Sequence, residues 1–176
     1  MSGQASIAAV LAGIARLEAE SDILRTLYRY GHSIDAGRDE DWIDCFTEDG
    51  IIDVLYGSER ARAARLGLGT RHATGVRHQG REALRVFIAG HTHPPAHIHQ
   101  HILVEPRITV SGDTGSGLSY MMRIDLLDPA LKITTFGRYL DRYRRIGERE
   151  WRIAERVCDI DGQRPSAAGQ VQAVPR

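Results

Sequence analysis

The 176-residue chain is long enough for one domain with a substantial core and short for two. Its 23 basic and 23 acidic side chains balance, which removes the basic field that nucleic acids and anionic membranes attract, so a small-molecule partner is expected instead. Lysine occurs once, at Lys132, which argues against Schiff-base chemistry, and Cys45 and Cys158 show neither CxxC spacing nor the number a disulfide framework needs, so a reduced, cytoplasmic setting is the expectation.

In chain order, Ile7, Val10, Leu11, Ile14 and Leu17 are spaced by three and four, which predicts an amphipathic helix over 4–19. The stretch lacks a basic leader and is followed by Arg16, Glu18 and Glu20, so it reads neither as a signal nor as a membrane span. Ser21 offers an N-cap for a second helix from Asp22 to about Ala36, stopped by Gly37, unless the two are one bent helix. A short helix is expected over 39–47, then a turn at Asp49-Gly50 and the strand IIDVLYG. Residues 58–78 are rich in Arg and Gly without a period, the texture of a lid or an insert. Arg60, Arg62, Arg65, Arg71 and Arg77 there are either a solvated face or an anion contact. Leu84, Phe87 and Ile88 predict a third helix, and four strands follow, over 97–110, 115–126, 132–145 and 149–160. Helices first and a long-stranded meander afterwards mean α+β, with a curved antiparallel sheet. In GRYLDRYRR the pattern leaves open whether Tyr139, Asp141 and Tyr143 or Arg138, Leu140 and Arg142 face inward.

The chemistry concentrates in two places. On the second helix Asp35 falls within roughly 20° of Leu24, at the edge of the apolar stripe, and Tyr30 flanks its other side with Gly31 between them. Either the helix lines a cavity, or Asp35 is an exposed helix-end residue and Tyr30 a core residue. His97, His99 and His101 alternate on one strand and so share a face, and His91 and His93 precede them. Such a cluster raises a metal site as one alternative, since imidazole suits Zn, Cu, Fe and Ni. Alternation, however, separates successive rings by roughly 7 Å, so convergence on one ion needs a bend or another strand, and the expectation is a metal-free site without cofactor. A histidine beside a buried carboxylate is a general base near neutral pH, with a tyrosine to bind a substrate oxygen.

The series YGHSID, DEDWIDCFTEDG, GREALRVF, HILVEPRITVSGD and GRYLDRYRRIGEREWRIAER resembles the SnoaL-like branch of the nuclear-transport-factor-2-like superfamily over residues 18–160. Glu105 stands before Pro106 where many relatives have asparagine. The resemblance implies a cone-shaped α+β barrel, its strongly curved sheet wrapped on N-terminal helices. Residues 1–161 would form a single domain and 162–176 a tail, flexible or packed on a neighbouring subunit. By similarity to scytalone dehydratase and bile-acid 7α-dehydratase, His101 would be the base, Asp35 its support and Tyr30 the group on the substrate oxygen. Substrate contacts are expected from Tyr28, His99, Tyr120, Tyr139 and Arg123. The implied activity is a cofactor-independent, dehydratase-type lyase acting on a hydrophobic cyclic or aromatic molecule, in a homo-oligomer, a trimer or a dimer. An isomerase, or a non-catalytic subunit such as the small subunit of a ring-hydroxylating dioxygenase, are the alternatives.

Overall fold

The structure, a computed structural model, describes residues 2–57 and 76–161. It opens with one helix, α1 (Ser2–Asp35), of 34 residues. Ser21 lies inside it and caps nothing, because no Gly or Pro interrupts the chain there. Instead Asp22 is tied to Arg149, at 2.6 Å, across the turn between the last two strands. The apolar stripe then divides by environment. Ala19, Ile23, Leu27, Tyr30 and Ile34 are buried, whereas Ile7, Val10, Leu11, Ile14 and Leu17 are 48–63% exposed.

After the short α2 (Asp39–Ile43), β1 (Phe46–Tyr56) begins before the expected turn. Asp49-Gly50 falls in a bulge, where the pairing with the last strand shifts between Phe46 and Ile51. Next come β2 (Val76–Gln79) and α3 (Arg81–Ala89), followed by β3 (His99–Ser111), β4 (Thr114–Leu127), β5 (Ala130–Arg145) and β6 (Trp151–Asp161). Of the irregular stretch expected over 58–78, residues 76–78 are strand. The remainder, with Arg60, Arg62, Arg65 and Arg71, lies outside the described residues, as does the tail 162–176. Arg77 pairs with Asp53 on β1.

The six strands form one curved, unclosed sheet in the order β2-β1-β6-β5-β4-β3. Every neighbouring pair is antiparallel except β1 and β6, which run parallel. The expected curved antiparallel sheet is present, with that one parallel pair inside it. Strands so far apart in the chain leave no local sign of their pairing.

On β5 the inward set is Tyr139, Asp141 and Tyr143, all buried. They meet Tyr30, Trp42, Phe46 and Trp151 in an aromatic core between α1 and the sheet. At Gly137 a side chain would run into the Asp159 carbonyl and the Ile160 Cα of β6, so only glycine permits that close pairing. Among the described residues no helix is long and apolar enough to cross a membrane.

Candidate active site

β3 is the last strand of the sheet, so a backbone N–H on its outer edge has no strand to pair with. Helix α1 covers that edge. At Gly31 the helix lies against the strand: a Cβ there would stand 3.7 Å from Leu103 Cδ1 and 3.8 Å from the His101 carbonyl oxygen, ordinary contact distances. One turn later the helix ends at Asp35, whose carboxylate accepts the His101 backbone N–H at 3.1 and 2.9 Å. The same carboxylate lies 2.6 Å from His101 Nδ1. Since a carboxylate accepts, Nδ1 carries the proton and Nε2 is left as the basic nitrogen. Among the described residues Nε2 has no hydrogen-bond partner.

His101 lines a half-open cavity of about 220 Å³ between the concave face of the sheet, α1 and α3. Ile34, Ile52, Val54, Phe87, Met121 and Ile160 supply apolar wall, and Tyr30, Tyr139, His91 and Arg123 supply polar groups. Burial pushes the Tyr30 hydroxyl up to about 12, against the opposing pull of Arg156, and raises Tyr139 as well. Both therefore remain phenols, able to donate a hydrogen bond. Under them lies a buried cation. Arg156 is sandwiched between the two rings, 4.1 Å from each centroid, and is held by Asp141 through Nε at 2.8 Å and Nη2 at 2.7 Å. Asp141 also accepts the Tyr143 hydroxyl at 2.7 Å. Sequence reasoning missed Arg156. Its signal was present as the last arginine of WRIAER, opposite the aspartate of GRYLDRY.

The expected substrate contacts divide. Tyr139 and Arg123 line the cavity. Arg123 is engaged by Asp125, at 2.7 Å, by Thr92 at 2.9 Å and by His91 Nε2 at 3.4 Å. Tyr28 and Tyr120 are 57% and 54% exposed and outside the cavity, Tyr28 because it lies on the solvent side of α1 and Tyr120 because it points to the outer face of β4. His99 is fully buried behind the cavity wall, its ring 5.3 Å from that of His101. His91 reaches into the cavity. Its Nδ1 donates to the Thr92 carbonyl at 2.8 Å, and burial pushes its pKa down to about 3, so it stays neutral.

A family model described as a SnoaL-like domain matches residues 15–157. No curated protein matches the chain by sequence. Among solved structures, a protein of unknown function from Mycobacterium tuberculosis is 26% identical, with a TM-score of 0.61 over 82% of this chain and 72% of that one. A Novosphingobium aromaticivorans protein, provisionally named as the beta subunit of an aromatic-ring-hydroxylating dioxygenase, is 23% identical, with a TM-score of 0.67 over 88% and 94% of the two chains. An NTF2-like protein with a cystatin-like fold from the same organism is 23% identical, with a TM-score of 0.66 over 92% and 91%. With a family model covering most of its length and the same fold in these structures, the chain belongs to the SnoaL-like domain family.

Proposed function

We propose that the protein is a cofactor-independent lyase that eliminates water, or a similar group, from a hydrophobic cyclic or aromatic molecule. The observation that carries this reading is the Asp35–His101 pair, 2.6 Å apart, with His101 on the wall of a cavity that mixes apolar side chains with polar ones, Asp161 and Thr134 among them. In this reading His101 Nε2 takes a proton from a substrate carbon while the neighbouring carbon–oxygen bond breaks and a carbon–carbon double bond forms. Tyr30, a phenol with its pKa raised to about 12, hydrogen-bonds the departing oxygen. The proton held at Nε2 then leaves with the hydroxide as water. Asp35 keeps the Nδ1–H tautomer and so keeps Nε2 basic. The cavity of about 220 Å³ exceeds the ~150 Å³ that holds benzene, which suits one ring or two small fused rings.

The test is a screen of one- and two-ring alcohols for elimination, followed by His101→Ala and Asp35→Asn in the responding assay. Loss of a general base lowers turnover about 10²–10⁴-fold, so His101→Ala is expected to fall in that range while circular dichroism stays unchanged. Unaltered turnover in a folded His101→Ala protein removes the reading. A carbon–hydrogen exchange activity without elimination would mark an isomerase on the same groups.

The reading includes self-association as a dimer or a trimer, because the first half of α1 leaves Ile7, Val10, Leu11, Ile14 and Leu17 exposed. A second reading, a non-catalytic subunit, draws on the match along nearly the whole of a dioxygenase beta-subunit fold. Co-purification of a larger chain at fixed stoichiometry, with no turnover by the isolated protein, would select it.

A further inference from the structure

His99 is the least satisfied polar group near the site. Its side chain is fully buried, and among the described residues neither ring nitrogen has a hydrogen-bond partner. A neutral imidazole carries one donor and one acceptor, and leaving either unmade in the interior costs about 1–3 kcal/mol. The ring nevertheless sits among polar groups. Those of His91, His97 and His101 stand 5.1, 5.9 and 5.3 Å away, and Asp35 Oδ1 is 3.7 Å from Nε2. Burial pushes the His99 pKa down to about 4, so the ring is the neutral form that a metal ion requires.

Two sets of three groups converge here, Asp35–His99–His101 and His97–His99–Asp125, each with its ligand atoms within 4.8 Å of one another. Charge separates them. Asp125 already accepts from Arg123 at 2.7 Å, from His97 at 2.6 Å and from the Thr134 hydroxyl, and the guanidinium would repel a cation. Among the described residues Asp35 has no arginine against it and accepts only from His101. Ligand atoms about 2.0–2.1 Å from a tetrahedral zinc ion lie roughly 3.4 Å apart. The 3.7 Å separation of Asp35 Oδ1 and His99 Nε2 is already near that value, and the 2.6 Å separation of Asp35 and His101 Nδ1 has only to open slightly.

We propose that Asp35, His99 and His101 form a regulatory binding site for a divalent transition ion of the zinc type, with His99 as the ligand that has no other role. Two imidazoles and one carboxylate are the donor set such ions take. The consequence for chemistry rests on the base role proposed for His101. To bind through Nδ1, His101 must shift its proton from Nδ1 to Nε2, with no net proton gained or lost. Nε2–H can no longer accept a proton from a substrate in the cavity. The ion therefore switches the base off reversibly, and a chelator restores it.

The experiment uses tag-free, chelator-treated full-length protein titrated with zinc chloride by calorimetry, with cobalt(II) as an optical probe of geometry. One ion per chain is expected, with a rise in melting temperature, a tetrahedral cobalt spectrum, and an affinity at least about tenfold weaker in His99→Phe, while His97→Asn binds as the parent does. Should His99→Phe fold poorly, nitrogen-detected NMR of the parent decides: zinc must move the His101 proton from Nδ1 to Nε2. No stoichiometric binding, equal binding by folded His99→Phe, loss of binding in His97→Asn, or an unmoved tautomer each overturns the site. Turnover is read separately. Zinc binding at this site by a protein that eliminates nothing after chelation sinks the lyase reading and leaves the site, and turnover indifferent to saturating zinc leaves the lyase reading and overturns the regulatory role.

Discussion

Glu105 sits in the left-handed region at φ 51°, in the bulge where the β3–β4 register shifts between Val104 and Arg107. Asparagine tolerates that conformation far better than glutamate, which explains why an Asn-Pro pair suits this place in the family pattern. Replacing Glu105 by Asn is expected to stabilise the protein by about 0.5–1 kcal/mol, because the Glu side chain is exposed and only the backbone preference changes. Chemical denaturation measures it, and a lower midpoint would contradict the strain argument. The sequence showed only the Glu105-Pro106 pair; the register shift it accompanies lies beyond Val104, so the pairing of His99 to Val104 with β4, which presents His101, is unbroken.

At the scale of elements, the site depends on what fixes β5 and β6 behind it. Arg156 and Asp141 are both fully buried, one on each strand, and every charge-assisted bond between them lies inside the core. A buried pair adds little over an apolar pair of the same shape, but removing one partner strands a charge, at about 3–5 kcal/mol. Asp141→Asn keeps the shape and removes the charge, so it is expected to be destabilised toward that range, with the cavity tyrosines losing their support. Equilibrium unfolding in urea checks this, and a change below about 1 kcal/mol would mean that the pair is solvated or rearranged. Helix α1 acts on a similar principle at the other edge. Its Asp35 ties it to β3, while its first half stands away from the core.

For the molecule as a whole, two properties follow from groups that are out of place energetically. His91 and His99 are held neutral by burial, with pKa values of about 3 and about 4, against about 6.5 in an unfolded chain. Their folded values are depressed, so between these limits the unfolded state binds more protons. The stability they confer is intact above about pH 6.5 and is lost as the pH falls toward their folded values. Calorimetry in metal-free buffer is expected to show the melting temperature falling from pH 7 to 4.5, above the range where the paired carboxylates Asp22, Asp44 and Asp49, whose pKa values are lowered, begin to contribute. A flat profile over that interval would show these histidines to be solvated. The other property is the exposed stripe at the start of α1. Leu11→Glu together with Ile14→Glu is expected to lower the mass seen by light scattering while leaving the melting curve of the core little changed, and an unchanged mass would locate self-association elsewhere.

The periodicities at 7–34, 84–88 and 97–160 were enough to read the helices, the long strands and the α+β class, because spacing and alternation are local properties of the chain. Motif order carried the family, and with it the approach of Asp35 to His101. Strand order, the parallel β1–β6 pair and the inward set on β5 were decided only by the fold, since each depends on partners far away in the chain. The same holds for the site's other members. Whether Tyr28, Tyr120 or His99 meets a substrate depends on which way a face turns once the sheet curves around α1. Arg156 and the unsatisfied ring of His99 acquire meaning only when burial removes water and leaves neighbouring side chains as the partners that remain.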